Sequence, residues 1–304
     1  MSITVTNLSK FYGSQKAVDQ INFQVGKGEV VGFLGPNGAG KSTTMKIITG
    51  YLSADEGMAT VCGLPVHPDH PGTKQKIGYL PEQNPLYYDM YVREYLRFIA
   101  GIHGLKNSTA RIQEVIDLVG LTPESGKKTG QLSKGYKQRT GLAAALIHDP
   151  EVLILDEPTT GLDPNQIVEI REVIRRLGRD KTVLFSSHIL QEVEAVCDRV
   201  IIINKGKIVA DDLLQQLRQK GSEEGIQVTF SGTPEIGRLK QVLAGAAVTA
   251  LSPQTFRVSG ADSDAIRKAL MQFSLDENIN IEQLQREAGS SLELVFRQLT
   301  AQPS

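Results

Sequence analysis

Long apolar stretches and an excess of either charge are both absent from this chain of 304 residues. No run approaches the roughly 18 apolar residues that a membrane-spanning helix needs, so the chain is not expected to cross a membrane. Lysine and arginine number 33 against 34 aspartate and glutamate, and the formal net charge is −1. This balance offers no electrostatic basis for holding nucleic acid, so no nucleic-acid partner is expected.

Cysteine is also scarce, and the amino-terminal residues carry no export signal. The two cysteines, Cys62 and Cys197, have no metal-ligand spacing, and one pair makes no disulfide framework, so a reducing cytosol is expected. The first residues, Met1–Val5, lack a basic region followed by an apolar core, so no signal peptide is expected. The content of 40% hydrophobic and 22% charged residues is that of a globular protein, and the length allows two domains.

One glycine-rich segment carries the clearest chemical signal. It matches the P-loop pattern G-x-x-x-x-G-K-[ST] with the residues Gly35, Pro36, Asn37, Gly38, Ala39, Gly40, Lys41, Ser42 and Thr43. Glycines let backbone N–H groups face phosphate oxygens, Lys41 adds a mobile positive charge, and the Ser42 hydroxyl can ligate Mg²⁺. An apolar strand precedes the loop and a helix over Thr43–Thr49 follows it, as the motif requires. The segment therefore predicts binding of a nucleoside triphosphate.

A second aliphatic strand ends in two acidic residues. Val152–Leu155 leads to Asp156 and Glu157, which would emerge at the carboxyl edge of a buried strand, where ligands bind in open α/β sheets. Asp156 there can join the shell of Mg²⁺, and Glu157 can reach an attacking water as general base. His188 follows a third strand, Val183–Ser187, and could bond a γ-phosphate or the same water.

A further phosphate site is predicted at the start of an alanine- and leucine-rich helix. The segment Leu132–Arg139 opens this helix, which runs to His148. Ser133 is a natural N-cap, and Gly135 lets the backbone approach a ligand closely. A helix N-terminus with a serine hydroxyl suits an anion.

Strand-like and helical segments alternate up to about residue 205, which predicts an α/β core with a largely parallel sheet. The strands are expected at Ile3–Val5, Ile21–Val25, Val30–Leu34, Ala59–Cys62, Lys76–Leu80, Val152–Asp156, Val183–Ser186, Val200–Ile203 and Lys207–Val209. Between residues 84 and 150 the strand signal vanishes, and helices are expected at Tyr88–His103, Thr109–Val119 and Ser133–His148. A helical subdomain is therefore inserted between two halves of the core.

A second pattern follows a linker-like composition at Gly221–Gly225. Its expected elements are the strand Ile226–Phe230, the helix Glu235–Leu243, the strands Val248–Leu251 and Thr255–Val258, the helix Asp264–Phe273, the strand Ile279–Gln283 and the helix Ser291–Leu299. The order βαββαβ is that of a small ferredoxin-like α+β unit. We therefore expect a nucleotide-binding domain at 1–220, with its helical subdomain at about 84–150, and an accessory domain at 221–304.

In this order the motifs resemble those of the ATP-binding subunit of an ABC transporter. The Walker A residues are Gly35 to Thr43, and the Walker B residues are Val152 to Asp156, followed by Glu157. Leu132 to Arg139 matches the family's signature stretch. The resemblance covers residues 2 to about 215 and implies a P-loop NTPase core of the ABC ATPase type.

Three further positions extend this resemblance. Gly161-Leu162-Asp163 resembles the D-loop, and His188 falls at the switch histidine. Tyr12, in Phe11-Tyr12-Gly13, falls where the family stacks an aromatic ring on adenine. The resemblance implies that Tyr12 and Asp163 belong to the nucleotide site.

The signature stretch departs from the family pattern Leu-Ser-Gly-Gly-Gln. Lys134 replaces the first glycine and Tyr136 replaces the glutamine, whereas Ser133 and Gly135 remain. Since the phosphate-facing pair is intact, the site is expected to work with altered side-chain contacts.

The Q-loop, residues Ile77–Gln83, is the second departure from the family pattern. Glu82 stands at the family's usual glutamine position, and Gln83 follows one place later. Either side chain offers an oxygen ligand for Mg²⁺ or the attacking water, so both remain candidates. The variants at Tyr79–Glu82 and Leu132–Tyr136, with a C-terminal domain, are similar to ABC-2 type exporters. Among these, the sequence most closely resembles ATP-binding subunits associated with bacterial gliding motility.

The resemblance implies an ATPase that uses ATP and Mg²⁺, with Glu157, His188 and Lys41 as catalytic residues. Two subunits, either two copies or this chain and a homologous ATPase subunit, would enclose two ATP molecules head to tail. The P-loop would act from one side, and Ser133 with Gly135 from the other. The helical subdomain would dock an integral membrane permease, which places the chain in the cytoplasm at the inner face of the membrane.

Two alternatives belong to other classes. A soluble regulatory or mechanical ABC ATPase would be expected to carry a second cassette or a long coiled coil, and neither occurs. A non-hydrolysing binding module would be expected to lack residues that hydrolysis needs, whereas Lys41, Asp156, Glu157 and His188 are all present.

Overall fold

The computed structural model describes residues 1–69, 71–220, 225–243, 245–260, 262–287 and 292–301. The chain divides into two compact units, Met1–Leu213 and Leu214–Ser304. Of the predicted linker, residues 221–224 lie outside the described residues, as does Ser291, the predicted first residue of the last helix. No helix in the described part of the chain is long and apolar enough to span a membrane.

The described part of the first unit contains ten strands, seven α-helices and two short 3-10 helices, Thr122–Glu124 and Thr129–Gln131. In chain order the strands are β1 (Ile3–Tyr12), β2 (Gln15–Val25), β3 (Val30–Leu34), β4 (Glu56–Val61), β5 (Leu64–Pro65), β6 (Ile77–Leu80), β7 (Val152–Asp156), β8 (Thr182–Ser187), β9 (Arg199–Asn204) and β10 (Lys207–Leu213). The helices are α1 (Lys41–Ile48), α2 (Pro71–Lys74), α3 (Val92–Ile102), α4 (Thr109–Leu118), α5 (Lys134–Leu146), α6 (Pro164–Leu177) and α7 (Leu190–Val196). Every strand and helix predicted here overlaps an observed element.

The central sheet of this unit has six strands in the order β10-β9-β3-β8-β7-β6. All neighbours are parallel except β10, which runs antiparallel to β9 at one edge. Every residue of β7 and β8 is buried, as the apolar runs Val152–Leu155 and Val183–Phe185 within them predict for parallel strands. Leu34 pairs with Ser187 and Asp156 pairs with Ser186, so the carboxyl ends of β3, β7 and β8 meet at one edge.

The central sheet confirms the predicted largely parallel sheet, but a second sheet of four antiparallel strands, in the order β2-β1-β4-β5, was not predicted. The cause of its antiparallel order is the hairpin between β1 and β2, in which Tyr12 pairs with Gln15 across a two-residue turn. Antiparallel strands can be joined so tightly, whereas parallel strands need a long crossover. The exposed faces of β1 and β2 are polar, which hid the outer half of the hairpin from the sequence pattern.

One hydrophobic core joins the two sheets of the first unit. Phe23 of β2 lies against Phe33 of β3, with ring centroids 5.5 Å apart. Met45 and Ile48 of α1 belong to the same buried cluster, as does Ile154 of β7. Close packing of this kind leaves little room for movement, so it fixes β3 and the loop that follows it.

The second unit contains, in chain order, α8 (Leu214–Lys220), β11 (Gly225–Phe230), α9 (Ile236–Val242), β12 (Ala247–Ala250), β13 (Thr255–Ser259), α10 (Ser263–Asp276), β14 (Ile281–Glu287) and α11 (Leu292–Ala301). Its sheet has the order β12-β13-β11-β14, and all neighbours are antiparallel. Alternate residues of β11 and β13 are buried, which is the period of a strand with one covered face. These side chains pack with α9 and α10 in a separate core.

Candidate functional site

The loop from Gly35 to Gly40 leaves β3 and enters α1 at the carboxyl edge of the central sheet. Gly40 has φ 109°, a left-handed conformation that L side chains rarely adopt, and a Cβ there would overlap the carbonyl oxygen of Ala17. A Cβ on Gly35 would overlap the carbonyl oxygen of Ile203. These glycines therefore let the loop curl tightly against neighbouring backbone.

Lys41 begins α1 and is buried beneath this loop. Its Nζ lies 2.8 Å from the carbonyl oxygen of Gly35 and 3.3 Å from that of Pro36. It also lies 3.2 Å from Oε1 of Glu157, and the Lys41 side chain is only 5% exposed. A buried ammonium group must be compensated, and these three oxygens do so while holding the positive charge at the loop.

A hydroxyl–carboxyl cluster surrounds Asp156 at the end of β7. Ser42 Oγ donates to Asp156 Oδ1 at 3.1 Å, and Ser186 Oγ donates to the same oxygen at 2.7 Å. The backbone N–H of Glu157 donates to Ser186 Oγ at 2.9 Å. Burial raises the pKa of Asp156, although the hydrogen bonds from Ser186 and Ser42 oppose that rise. A buried carboxyl group beside a small hydroxyl is suited to a hard cation.

Glu157 and His188 are hydrogen-bonded across neighbouring strands. Nδ1 of His188 lies 2.8 Å from Oε2 of Glu157, and Thr160 Oγ1 donates to the same oxygen at 3.3 Å. Glu157 has φ 51°, which directs the chain sharply away from β7. The His188 side chain is 39% exposed, whereas that of Glu157 is 7% exposed. The histidine thus connects a buried acid to the surface.

These groups face a cleft of about 630 Å³. Its wall consists of Tyr12, Gln15, Ala17, Asn37, Gly38, Gly40, Lys41, Ser42, Thr43, Glu82, Glu157, Thr160 and His188. The predicted site residues that are not part of this wall are Gly35, Pro36, Ala39, Gln83, Ser133, Gly135, Asp156 and Asp163. Tyr12 ends β1 beside the hairpin turn, and its ring is half exposed.

The signature residues meet the D-loop rather than the cleft. Ser133 caps α5, and its Oγ accepts from the backbone N–H of Tyr136 at 3.4 Å. Asp163 caps α6, and its Oδ1 accepts from the backbone N–H of Gln166 at 3.0 Å. A Cβ on Gly135 would overlap the side chain of Gln166, so the two helix starts are packed closely.

Sequence reasoning missed Ser186 and Thr160, which hold Asp156 and Glu157 in place. Ser186 bonds both the Asp156 carboxyl group and the Glu157 backbone. The available signal was a pair of serines at the end of an otherwise apolar strand, β8. Two adjacent hydroxyls in a fully buried strand need partners. Asp156 at the end of the neighbouring strand accepts from Ser186, and Glu192 of α7 accepts from Ser187.

Comparison with known proteins gives concordant matches. The family model described as ABC transporter matches residues 18–160. The linearmycin resistance ATP-binding protein LnrL of Bacillus subtilis (strain 168) is 37% identical over 305 residues, which cover 97% of this chain and 96% of the relative. The Nod factor export ATP-binding protein I of Burkholderia orbicola (strain AU 1054) is 37% identical over 245 residues, or 80% of each chain.

A solved structure of the ATP-binding subunit of an ABC transporter has a similar fold. The TM-score is 0.66 at 31% identity, and the match covers 72% of this chain and 93% of the other. Shared fold, shared motifs and nearly full-length relatives agree with the geometry of the cleft. This chain belongs to the ABC transporter family, as an ATP-binding subunit that hydrolyses ATP to power a transporter.

Proposed function

We propose that two copies of this subunit enclose two ATP molecules and drive an exporter through a separate membrane protein. The observation that carries this proposal is the position of the two predicted phosphate-binding elements. The P-loop residues Lys41 and Ser42 form part of the cleft wall, whereas Ser133 and Gly135 do not. Ser133 is exposed at the start of α5, so it is free to reach a phosphate held by another chain.

The cleft suits ATP from the adenine to the γ-phosphate. The exposed ring of Tyr12 stacks on the base, since a flat apolar ring with one open face favours an aromatic partner. Backbone N–H groups of the P-loop bind the phosphate chain, and Lys41 adds charge-assisted bonds to its outer oxygens. To do so, Lys41 exchanges its present oxygen partners for phosphate oxygens.

The donor set beside the P-loop fits Mg²⁺. Ser42 and Asp156 present a hydroxyl and a carboxyl oxygen 3.1 Å apart, and Mg²⁺ prefers hard oxygen ligands together with water and substrate phosphates. The described residues contain no group of three or more histidine, cysteine or acidic side chains that would suit a metal cage. A cation that borrows phosphate oxygens matches this sparse set. When bound, Mg²⁺ would neutralise charge on the outer phosphates.

Glu157 is the general base for attack of water on the γ-phosphate. It accepts the proton of the water, while the γ-phosphorus gains that oxygen and the bond to the β-phosphate breaks. His188 bonds Oε2 of Glu157 through Nδ1, which holds the imidazole ring and leaves Nε2 for the attacking water. Both residues face the cleft.

Glu82 is the Q-loop ligand in our proposal. The cleft wall includes Glu82 but not Gln83, which supports the residue at the usual glutamine position. A carboxylate there can bond Mg²⁺ or the attacking water, although unlike glutamine it adds a negative charge to the site.

Asp163 and the signature helix act on the nucleotide of the partner subunit. Their helix starts are packed together, so the exposed residues Ser133 and Asp163 can present one surface to the facing copy, with Gly135 buried beneath the side chain of Gln166. One chain carries both halves of a site, so two identical copies can complete two sites, although a homologous subunit could also serve. ATP then stabilises the closed pair, and hydrolysis favours opening.

The helical subdomain docks the membrane protein. Its surface carries an exposed apolar group on α3 and the preceding loop, formed by Tyr87, Tyr88, Tyr91, Phe98 and Ile102. Two of these side chains, Tyr87 and Phe98, are in contact with ring centroids 5.5 Å apart, and exposed apolar groups of this kind can mark interaction sites. This group begins five residues after Glu82, so ATP-dependent motion of the Q-loop is transmitted to the partner. The subunit thereby works in the cytoplasm, peripheral to the inner face of the membrane.

Export is the direction that the relatives support. One is named for linearmycin resistance and another for Nod factor export. We assign the chain to the ABC-2 exporter type on this basis and on its Q-loop and signature variants. The association with gliding motility rests on resemblance alone and stays a prediction. A soluble regulatory or mechanical ATPase is the alternative, and co-purification of a multi-spanning membrane protein distinguishes the exporter subunit from it.

Residues 221–304 form a ferredoxin-like accessory domain in our proposal, with residues 1–220 as the ATPase domain. The antiparallel order β12-β13-β11-β14, with a helix after the first and third of these strands in the chain, supports that assignment. The unit offers no chemical motif, so we assign it a contact role, either between copies or with the membrane protein.

The test of this function is Glu157→Gln in the full-length protein. The amide keeps the shape of the carboxylate but accepts no proton, so kcat for ATP should fall about 100-fold or more. ATP binding should persist, and the variant should accumulate as an ATP-dependent dimer on gel filtration. Near-normal hydrolysis by this variant would remove Glu157 from the mechanism, and a strictly monomeric ATP complex would remove the paired arrangement.

A further inference from the structure

A second acidic residue, Glu192 of α7, lies behind the cleft and is 2% exposed. Its Oε2 accepts two hydrogen bonds, from Thr159 Oγ1 at 2.6 Å and from Ser187 Oγ at 2.7 Å. Thr159 follows β7 two residues after Glu157, and Ser187 ends β8 immediately before His188. One oxygen therefore ties together the segments that carry both proposed reacting side chains.

Ser187 also accepts two backbone hydrogen bonds, which hold the chain next to His188. Its Oγ accepts from the backbone N–H of Ile189 at 3.0 Å, and its carbonyl oxygen accepts from the N–H of Gly35 at 3.3 Å. The backbone around His188 is thus fixed to the start of the P-loop and, through Glu192, to the segment after Glu157. Glu192 is not part of the cleft wall.

A buried acidic side chain is unfavourable unless hydrogen bonds compensate it. Two short bonds from hydroxyl groups provide that compensation here, and both hydroxyls would lose their acceptor if Glu192 were shortened. Removal of the acceptor therefore takes away one of the links between the exits of β7 and β8, and leaves the link that Ser186 makes to Asp156 and Glu157. The contact between His188 and Glu157 spans those two exits.

We propose that Glu192 is a positioning residue for ATP hydrolysis, because it holds Thr159 and Ser187 so that Glu157 and His188 stay within hydrogen-bond reach. This inference rests on the proposed function, in which Glu157 is the base. A displacement of about 1 Å at a reacting group can cost about 100-fold in rate. Glu192 acts on the chemical step and leaves the P-loop contacts to ATP unchanged.

The test compares Glu192→Ala with Glu192→Gln in the full-length protein. Alanine removes the acceptor, so kcat per ATP-binding site should fall about ten- to 100-fold, while the dissociation constant for ATP changes less than about threefold. Glutamine keeps an oxygen that can accept from both hydroxyls, so it should restore most of kcat. The exposed neighbour Gln191, changed to alanine, is the matched control and should leave both constants unchanged.

Thr159→Val and Ser187→Ala provide a second route if Glu192→Ala does not fold. Each removes one donor, and each should lower kcat while leaving ATP affinity unchanged. Where Glu192→Ala does fold, adding either substitution to it should cause little further loss, because the shared acceptor is already absent. Additive losses, an unchanged kcat in Glu192→Ala, or failure of glutamine to restore kcat would overturn the positioning role.

Failure of this inference is distinguishable from failure of the proposed function. If Glu157→Gln abolishes hydrolysis and Glu192→Ala does not alter it, only the role of Glu192 is wrong. If Glu157→Gln hydrolyses normally, the assignment of the base is wrong, and Glu192 then has no reacting pair to position.

Discussion

The two units of this chain differ in what they bury. The first buries charged and hydroxyl side chains at the carboxyl edge of its central sheet, including Lys41, Asp156, Glu157 and Glu192. In the second, Ser263 is the only buried polar side chain among the residues that the structure describes, and its core is aliphatic and aromatic. Buried polar groups are expensive, so a protein keeps them where chemistry requires them. The contrast supports our proposal that the chemistry belongs to the first unit and a contact role to the second.

The largest expected effect comes from matched core truncations. Phe230 is fully buried between Phe256 and Phe273, and Phe230→Ala should lower the free energy of unfolding of the second unit by about 3–5 kcal/mol. Hydrolysis of ATP should stay within about twofold of wild type, since this core holds no reacting group. Denaturant unfolding and steady-state kinetics measure the two quantities.

Phe33→Ala is the counterpart in the first unit. Phe33 is fully buried in β3 directly before the P-loop, so a similar loss of stability should be accompanied by a loss of ATP turnover. Equal losses of turnover in the Phe230 and Phe33 variants would break the distinction between a chemical unit and a contact unit.

Lys41→Ala tests how much one buried charged residue of the first unit contributes to ATP binding. Charge-assisted hydrogen bonds contribute about 2–3 kcal/mol, so the dissociation constant for ATP should rise about 30- to 150-fold, as measured by calorimetry. Lys76→Ala is the control, because Lys76 pairs with Glu151 at the surface and is not part of the cleft wall. Unchanged ATP affinity in Lys41→Ala would contradict the P-loop role of Lys41.

Asp156→Asn tests whether the buried acid costs stability. Burial raises the pKa of Asp156, so the folded state binds more protons than the unfolded state, and stability falls as pH rises from about 3.8 toward that raised pKa. Asparagine removes the buried charge and keeps an oxygen for Ser42 and Ser186. We expect it to stabilise the metal-free, nucleotide-free protein at pH 7 by about 1 kcal/mol while lowering ATP turnover.

The stability contribution of Asp149 should change with pH in the opposite direction from that of Asp156, and its substitution has the smallest expected effect. A hydrogen bond from Lys181 lowers the pKa of Asp149, so its contribution to stability is present above its unfolded pKa and is lost as pH falls through the folded pKa. Because Asp149 is largely exposed, Asp149→Asn should destabilise the protein only slightly at pH 7. Urea unfolding at several pH values checks both variants, and a destabilised Asp156→Asn would show that the carboxyl group stabilises the fold.

The sequence predicted those parts of the fold that depend on local pattern. β3, β7 and β8 each contain a run of mostly apolar residues, and a strand buried on both faces has that composition. The hairpin of β1 and β2 was predicted only at the end away from its turn, because the half next to the turn is polar and exposed. The P-loop and the two acids at the end of β7 were predicted because their chemistry is encoded in consecutive residues.

The supporting groups were beyond such local prediction. Glu192 contacts Thr159 across 33 positions, and only the folded sheet brings them together. Nothing near Glu192 in the sequence distinguishes it from an exposed acid on an amphipathic helix. The choice between Glu82 and Gln83 was equally closed to sequence reasoning, because a shift of one residue changes which side chain faces the cleft.

Mixing two inactive variants tests most directly whether ATP is held between two chains. Lys41→Ala disables one half of a site and Ser133→Arg the other, so neither variant alone should hydrolyse ATP. A mixed pair carries one site with both halves intact, so an equimolar mixture should recover about one quarter of the wild-type rate if pairs form at random. Hydrolysis that stays absent in the mixture, or a Ser133→Arg protein that is fully active alone, would contradict a shared site.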